Sequence, residues 1–584
     1  MTKYPSIFLS FLILCTIILS QCANPVTPQG GPKDEKAPGI IRTDPSNFST
    51  GFRQTTIRID FDEFIALKNP TSEIFISPPA LKKPETRIRG KSLMIDLEDS
   101  LRANTTHSIS FGLAITDLTE GNILKNFNYV FSTGPWLDSM SLKGKVLSAF
   151  DLSPLKNVFV GLYIDEPDTI PFDSLPFRKA PFYLTRSNEN GEFLFQNLRP
   201  ERGRIVAVED MNGDLFFSQL SEKVAFLDTL VSPAYTKIIQ PDTIVRTDST
   251  GTPAGMSDSL SLKKTEEVVR TPDQKPLTLF MFEQPDTTQR LLGSSYTGVS
   301  KIQFRFKLPV EDLTVRPIYN DSLTNPSRLE YSARKDTINL WFSGTTPDTL
   351  SLVIHSEQVL PDTLFFSREI SGKKQKKGDQ ETKDLRIESP SNGFGFNFFR
   401  SPLNLLWSYP LEVAQINRIV LTEGDDTLSP GVSFTDSIQR KMRINHDWKE
   451  GKSYKLIVPE GAIQSVTGEI NDTLVLSFRT REAKEFGNLV LSMNLPVKDA
   501  NYLVQILNES EKVMFEQQST NGKEILRFVA LNPGKYKIKA ILDQNGNGRW
   551  DPGNFFRFIQ PETVSYFPKV IEIRANWDVE ERWD

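Results

Sequence analysis

The chain has 584 residues, and its 68 Lys and Arg against 73 Asp and Glu give a net charge of -5 at pH 7. Acidic and basic residues are interspersed, so there is no basic footprint, which argues against nucleic acid as a partner. This length exceeds what one hydrophobic core can serve, so several domains are expected. Abundant Phe, Thr, Ser, Asp and Pro favour strands over helices, and the predicted fold class is all-β.

The first residues predict export from the cytoplasm. Lys3 gives a short positive start, and Ile7 to Leu19 form an almost unbroken apolar run. A run of this length is typical of a signal peptide and falls short of the roughly 20 residues that span a bilayer. It ends at Leu19-Ser20-Gln21-Cys22, which Ala23-Asn24-Pro25 follows.

This junction resembles the lipobox of bacterial lipoproteins. The resemblance implies that residues 1–21 are a signal peptide, that the Cys22 thiol carries diacylglycerol, and that the new amino terminus is often acylated as well. Two or three acyl chains such as palmitate hold a protein firmly, because each buried methylene contributes about 0.8 kcal/mol. The alternative is an ordinary secretory signal with an incidental cysteine. Cys15 lies in the segment that is removed, so no disulfide is expected within the exported chain.

Residues 22–38 and 39–134 are predicted to be a tether and a first β-sandwich. The tether is rich in Pro and Gly and lacks apolar periodicity. In the sandwich, runs such as Ile57 to Phe61 alternate apolar and polar positions, and turn residues separate the runs. The opening Asp44-Pro45-Ser46 and a closing hairpin from Ser108 to Thr133 resemble the bacterial Ig-like domain of S-layer proteins and many surface lipoproteins.

Residues 135–235 have a different pattern. A Phe-bearing strand follows Gly191, then come the turn Leu198-Arg199-Pro200, the strand Gly203 to Val208, and the Asp-rich loop Asp210 to Asp214. This order resembles prealbumin-like or carboxypeptidase-regulatory-like domains. The resemblance implies a seven-stranded sandwich that serves as a spacer or in adhesion, without catalysis.

The middle of the chain predicts two linkers around a further sandwich. Residues 236–274 contain a stretch from Gln240 to Glu267 dominated by Thr, Asp, Ser and Pro, and residues 371–388 contain the charged stretch Ser371 to Lys383 without apolar residues. Between them, residues 275–370 alternate as strands do and carry no family signature. We expect proteases to cut first between Gln240 and Glu267 and between Ser371 and Lys383.

The last two segments repeat the first two. The hairpin from Lys452 to Thr480 aligns with the first one, which makes residues 389–482 a second Ig-like domain. Residues 483–584 repeat the prealbumin-like pattern, with the turn Leu531-Asn532-Pro533 and a second Asp-rich loop. An internal repeat of this size predicts separate cores joined as beads on a string.

The sharpest local motif begins at Asp543. Asp543, Asn545, Asn547 and Asp551 occupy positions one, three, five and nine of a loop that has Gly548 at position six, which is the spacing of a calcium loop. Position twelve is Asn554 and strands flank the loop, so the alternative is an Asn-Gly turn whose side chains bond their own backbone. If calcium binds, a weak affinity of about 0.1 mM to millimolar is expected. The Asp210 loop has Leu215 at the glycine position and is predicted to be a turn.

Catalysis has little support in the sequence. The three histidines, His107, His355 and His446, stand far apart, and no nucleophile elbow, zinc motif, phosphate loop or dinucleotide fingerprint is present. The chain is therefore predicted not to be an enzyme. An aromatic patch around Phe396, Phe398 and Trp407 either stacks on sugar rings or forms the core of a sandwich, and alternation favours the core.

The predicted protein is a non-catalytic lipoprotein that Cys22 anchors to the outer membrane, on its surface or periplasmic face. The segments Cys22 to Pro25 and Gly30 to Asp34 resemble the start of similar lipoproteins of the Bacteroidota. Its partners would be the membrane, through the lipid anchor, and an outer-membrane protein complex or a glycan. Glycan binding through the Phe396 patch is the alternative function, and the sequence alone does not choose a partner.

Overall fold

The computed structural model describes residues 33–80, 82–97, 101–164, 171–235, 276–296, 300–318, 328–343, 349–367 and 385–584. The predicted signal peptide, Cys22 and the stretches where proteolysis is expected lie outside the described residues. Strands make up 48% of the chain and helical turns 4%, which confirms the all-β prediction. The chain divides into two compact units, one of Met1–Ser148 with Ser153–Met281 and one of Ala149–Leu152 with Phe282–Asp584.

The first sandwich lies in the first unit, and its described residues form nine strands. They are β1 (Ile40–Asp44), β2 (Thr56–Phe61), β3 (Ile65–Leu67), β4 (Phe75–Ser77), β5 (Glu85–Arg89), β6 (Ser92–Asp96), β7 (Thr106–Ser110), β8 (Ile115–Asp117) and β9 (Asn128–Ser132). The sheet orders are β1-β2-β6-β5 and β4-β7-β9, with the pair β3-β8 beside them. The short helix α1 (Pro70–Glu73) precedes β4. Alternate residues of β2 (Ile57, Ile59 and Phe61) are at most 1% exposed, as its period of two requires.

The second sandwich completes the first unit. Its strands are β10 (Met140–Ser148), β11 (Phe159–Ile164), β12 (Tyr183–Arg186), β13 (Glu192–Leu198), β14 (Gly203–Val208), β15 (Lys223–Phe226), β16 (Ala234–Tyr235) and β17 (Leu277–Glu283). A short helix α2 (Leu175–Arg178) follows the turn Phe172–Ser174. The main sheet path is β12-β11-β14-β15-β17-β10-β13.

Strand β17 corrects one expectation from the sequence. Its pattern placed it at the start of the sandwich predicted for residues 275–370, but Leu277 to Met281 pair in parallel with Gly144 to Ser148 of β10. Parallel pairing joins strands that are distant in sequence, and alternation within β17 carries no information about that partner.

The third sandwich opens the second unit. Its strands are β18 (Leu291–Tyr296), β19 (Lys301–Phe306), β20 (Thr314–Pro317), β21 (Arg328–Tyr331), β22 (Thr337–Trp341), β23 (Thr349–His355) and β24 (Asp362–Ser367). They form two sheets, in the orders β18-β19-β22-β21 and β20-β23-β24. Phe304, Ile338 and Ile354 lie in its core and are fully buried.

The fourth sandwich repeats the first. Its strands are β25 (Ile387–Ser389), β26 (Phe394–Phe396), β27 (Leu403–Trp407), β28 (Leu411–Ala414), β29 (Val420–Glu423), β30 (Asp426–Leu428), β31 (Gly431–Phe434), β32 (Lys441–Asn445), β33 (Ser453–Val458), β34 (Ile463–Ser465) and β35 (Leu474–Thr480). The sheet β25-β27-β32-β31 matches β1-β2-β6-β5, the run β29-β33-β35 matches β4-β7-β9, and the pair β28-β34 matches β3-β8. One turn of 3-10 helix spans Ile416–Arg418.

The fifth sandwich repeats the second. Its strands are β36 (Gly487–Met493), β37 (Tyr502–Leu507), β38 (Val513–Ser519), β39 (Ile525–Leu531), β40 (Gly534–Leu542), β41 (Val564–Tyr566), β42 (Ile571–Ile573) and β43 (Asp578–Trp583). Turns of 3-10 helix span Ala483–Glu485 and Phe555–Arg557. Its last strand pairs in parallel with its first, as β17 does with β10.

The second and fifth sandwiches share a β-bulge at matching positions. The pairing of β10 with β13 shifts register between Met140 and Leu142, and the pairing of β36 with β39 shifts between Gly487 and Leu489. At the matching position of each bulge, Asn197 and Ala530 adopt φ values of 58° and 52°. Both bulges thus contain a residue in the left-handed conformation, which asparagine tolerates better than alanine does.

Candidate functional site

The Asp543 loop (Asp543 to Asn554) follows β40, and its first residue organises it. Asp543 is 3% exposed. Its Oδ1 accepts a hydrogen bond from the Asn547 N–H at 3.1 Å, and its Oδ2 accepts one from the Gly548 N–H at 2.8 Å. Gly546 and Gly548 have φ values of 71° and 74°, a conformation that favours glycine. The Asn-Gly-Asn-Gly sequence therefore folds into a tight turn around one carboxylate.

The side chains of Asn545 and Asn547 extend this set of hydrogen bonds, which we call the hydrogen-bond frame of the loop. Asn545 Oδ1 accepts from the Asn547 N–H, and Asn547 Oδ1 accepts from the Arg549 N–H, both at 3.0 Å. The side-chain amide nitrogens of Asn545 and Asn547 both lie 2.5 Å from Asp551 Oδ2. All four residues that the sequence singled out for calcium are thus brought together at one turn.

A fifth residue, which sequence reasoning missed, closes the loop. Glu562 is 6% exposed, and its carboxylate accepts from the Gln544 N–H at 2.8 Å and from the Asp551 N–H at 3.0 Å. Burial raises the pKa of Glu562 although these two N–H groups act in the opposite direction. It follows Asp551 at a distance that no calcium-loop spacing includes, so a motif search does not find it.

The Asp210 loop (Asp210 to Gln219) follows β14 and is built on the same frame. Asp210 accepts from the N–H groups of Gly213 at 2.7 Å and Leu215 at 2.9 Å. Glu222 is fully buried and occupies the place of Glu562, because it accepts from the N–H groups of Met211, Ser218 and Gln219 at 3.3, 3.0 and 3.2 Å. Leu215 has a φ of 65° where the other copy has Gly548.

These hydrogen bonds fit the turn interpretation, because the loop's oxygens serve its own N–H groups. Within the described residues, no three His, Cys, Asp or Glu side chains are grouped so that they could hold a metal ion. Asn554, at position twelve, caps the following turn by accepting from the Arg557 N–H at 3.1 Å. Calcium binding by the Asp543 loop stays a prediction.

The aromatic patch belongs to the core of the fourth sandwich. Trp407 is fully buried and Phe396 is 4% exposed, so neither presents a ring face to a sugar. The half-buried Phe398 stacks on Phe399 with the ring centroids 4.4 Å apart. The glycan-platform interpretation of Phe396 and Trp407 is therefore wrong, because the alternating aromatics fill the inner face of a sheet.

Two of the three histidines, His107 and His446, pack against aromatic rings. His107 in β7 is 2% exposed and stacks on Phe131 with the centroids 5.3 Å apart. Burial lowers the pKa of His107 to about 4, helped by the nearby charges of Arg102 and Arg199, while a hydrogen bond to the Arg102 carbonyl opposes the shift. His446 packs edge-on against Trp448 and Tyr454. Because burial keeps His107 neutral and enclosed, it is a poor proton shuttle near pH 7.

Comparison with known families supports the first sandwich as an Ig-like fold. Residues 34–133 match the family model of the bacterial Ig-like domain. No curated protein sequence matches the chain significantly. Among the described residues, no helix has the length and apolar character needed to cross a bilayer.

Solved structures with Ig-like or related β domains show a distant likeness. The N-terminal part of the bacterial S-layer protein SbsC is 11% identical, with a TM-score of 0.18 over 34% of this chain and 44% of that one. The major pilin subunit BcpA of Bacillus cereus is 7% identical, with a TM-score of 0.14 over 76% and 99%. Domains A168–A170 of titin are 10% identical, with a TM-score of 0.13 over 50% and 97%. The chain thus spans under half of the first of these, and scores this low carry no argument about function.

Proposed function

We propose that this protein is a non-catalytic lipoprotein of the bacterial outer membrane, anchored through Cys22. Its tandem sandwiches would act in binding or adhesion, or as an accessory subunit of an envelope complex. The bacterial Ig-like match over residues 34–133 supports a surface role, and the lipobox-like junction at Cys22 supports the anchor. The observation that carries a structural role is that neighbouring sandwiches within each unit contact each other through specific side-chain hydrogen bonds. We call each such set of contacts between two sandwiches a seam.

The first seam joins the first and second sandwiches. Arg199 Nη2 donates to the Asn104 carbonyl at 2.9 Å and to Thr105 Oγ1 at 2.6 Å. The Leu184 N–H donates to Ser77 Oγ at 2.9 Å. Charge-assisted bonds to backbone acceptors define a direction as well as a contact. The two sandwiches therefore have a defined mutual orientation, unlike beads on a flexible string.

The second seam joins the fourth and fifth sandwiches at the corresponding turn. Arg481 Nη1 donates to Asn532 Oδ1 at 2.7 Å, and Asn532 stands where Arg199 stands in the earlier copy. Arg400 Nη2 donates to the Met514 carbonyl at 2.8 Å, and its guanidinium lies 3.5 Å from the centroid of Phe515. The contact is thus repeated, but its arginines now belong to the fourth sandwich, whereas in the first seam Arg199 belongs to the second sandwich.

The third seam joins the third and fourth sandwiches through Arg440, whose side chain is 11% exposed. Its Nη1 donates to Glu330 at 2.9 Å, its Nη2 to Glu388 at 2.7 Å, and its Nε to the Trp407 carbonyl at 2.8 Å. Burial acts to raise the pKa of Glu330, but Arg440 and hydrogen bonds from Trp341 and Asn339 outweigh it and lower that pKa. Because Arg440 and Glu330 are largely buried, removing either would leave the other charge without its partner, so this seam is sensitive to substitution.

Anchoring is tested by Cys22→Ala in the native host. The variant should fail to incorporate labelled palmitate and should move from the membrane to the soluble fraction, while Cys15→Ala should behave as wild type after processing. A Cys22→Ala protein that stays in the membrane would contradict the lipid anchor. Crosslinking on intact cells followed by purification through a C-terminal tag should recover an envelope protein as partner. Recovery of no envelope component would contradict the accessory role.

A further inference from the structure

A cleft lies in the first unit, between the first and second sandwiches. Its volume is about 490 Å³, which falls within the roughly 300–1,000 Å³ of small-molecule sites. Ile74, Ile76 and Leu184 form an apolar lining and are 4–5% exposed, whereas Met211 stands at the rim and is 70% exposed. The cleft is thus apolar and buried at its base and open to solvent at its rim.

One cation lines this cleft without adequate partners. The Arg186 side chain is 14% exposed, and its guanidinium lies 4.3 Å from the centroid of Phe159 and 5.7 Å from that of Phe75. Its Nε is buried and has no hydrogen-bond partner among the described residues. Its contact with Glu73 is an ion pair of 3.6 Å from Nη1, longer than a hydrogen bond. A guanidinium has five N–H donors, and desolvated donors without acceptors are costly.

The acidic groups nearby are already engaged. Glu73 Oε2 accepts the Leu113 N–H at 3.1 Å, which holds this carboxylate on the first sandwich. Both oxygens of Asp210 accept N–H groups of their own loop, from Gly213 and Leu215. A second cation, Lys83, lies in the lining and donates from Nζ to the Gly213 carbonyl at 3.3 Å. Glu73 and Asp210 therefore balance part of the positive charge of Arg186 and Lys83, whereas the buried Nε of Arg186 keeps no acceptor among the described residues.

We infer that this cleft binds a small organic ligand through a carboxylate that Arg186 receives. A carboxylate matches the planar fork of a guanidinium and supplies the acceptors that the protein does not. The body of the ligand would pack on Ile74 and Leu184, with Met211 adapting over it. The site is independent of lipid anchoring, so it stands or falls separately from the proposed function.

Two carboxylates of different origin test the site on the full chain. Sodium N-acetylglutamate represents amino-acid-derived ligands, and sodium glucuronate represents sugar-derived ones; their neutral counterparts are the diamide of N-acetylglutamate, in which both carboxylates are amidated, and glucose. Saturation-transfer NMR and calorimetry should show binding of at least one acid, at least tenfold tighter than its neutral counterpart. The acid that binds identifies the source. If neither acid binds better than its neutral counterpart, the inference is overturned.

Variants assign the binding to this cleft. Arg186→Met keeps the stem over the phenyl rings and should weaken the acid at least tenfold, and Arg186→Lys should restore only part of the affinity because it lacks the fork. Met211→Glu changes an exposed rim residue without touching the core and should weaken the acid by charge repulsion. Arg204→Met is the matched control, because Arg204 stacks at 4.6 Å from the centroid of Phe172 outside the cleft and should leave binding unchanged. Affinity that survives both Arg186→Met and Met211→Glu would overturn the site.

Discussion

The Asp210 and Asp543 loops share one hydrogen-bond frame, although Asp, Asn and Gly at positions one, three and four are their only identities over the first nine residues. In both, an aspartate at position one accepts two N–H groups, and a buried glutamate from farther along the chain closes the loop. They differ at position six, Leu215 against Gly548, and at position nine, Ser218 against Asp551. The frame thus depends on side-chain carboxylates that accept hydrogen bonds from backbone N–H groups, whereas the position-six glycine and position-nine aspartate of a calcium loop occur only in the Asp543 loop.

The largest effect is expected from the closing glutamates. Glu222→Ala would leave three partly buried N–H donors without this acceptor, and Glu562→Ala would leave two. At roughly 1 kcal/mol or more for each orphaned donor, the losses are about 3 and about 2 kcal/mol. Calorimetric unfolding of the full chain, with hydrogen exchange read on each loop, measures both. Equal losses, or losses no larger than that of the exposed control Glu189→Ala, would show that these carboxylates do not close the loops.

A pH difference is expected between the two Ig-like copies. His107 in β7 pairs with Phe131, and at the matching place Tyr454 in β33 pairs with Phe478. Because the pKa of His107 is about 4 in the folded chain against 6.5 unfolded, the unfolded state binds the extra proton between these values. The stability from neutral His107 is therefore present above pH 6.5 and lost as pH falls through 4, by about 3 kcal/mol.

Hydrogen exchange at a series of pH values checks this contrast. Protection of β7 and β9 should fall on acidification, while β33 and β35 should change much less. The His107→Phe variant keeps the stacking on Phe131 but has no group to protonate, so β7 and β9 should no longer lose protection on acidification. A first copy whose protection is flat between pH 7 and pH 4 would mean that His107 is not held neutral by burial.

These contrasts show what the sequence could and could not predict. Period-two alternation predicted strands such as β2 because burial on one face leaves a local record. The partner of β17 could not be predicted, since pairing with β10 leaves no local trace. Nor could Glu222 and Glu562, because buried acceptors need only reach the loop in space. The Arg440 seam was missed for the same reason, as single charged residues carry no periodic pattern.

If the Asp543 loop binds calcium, the ion should stabilise this loop and leave the stability of the Asp210 loop unchanged. An ion that binds only the folded state at a hundred times its dissociation constant stabilises by about 2.7 kcal/mol. Calcium should increase protection from hydrogen exchange in the fifth sandwich only. The second sandwich should not respond, because its Asp210 loop has Leu215 and Ser218 in place of the position-six glycine and the position-nine aspartate. Asp543→Ala should remove the calcium response. If exchange with calcium and with chelator superimposes, the Asp543 loop is a turn without metal.

The smallest effect concerns the two bulges. Ala530 adopts a φ of 52° at the place where the other copy has Asn197, and a left-handed conformation costs a residue with a Cβ roughly 1–2 kcal/mol. Glycine avoids this cost but loses more entropy on folding, so Ala530→Gly should stabilise the fifth sandwich by about 0.5–1 kcal/mol. Ala540→Gly is the matched control, because Ala540 is a buried residue of β40 with ordinary strand geometry. Its loss of packing and added entropy should destabilise by about 1 kcal/mol. Calorimetry should therefore show shifts of opposite sign for the two substitutions, and shifts of the same sign would mean that the bulge does not strain Ala530.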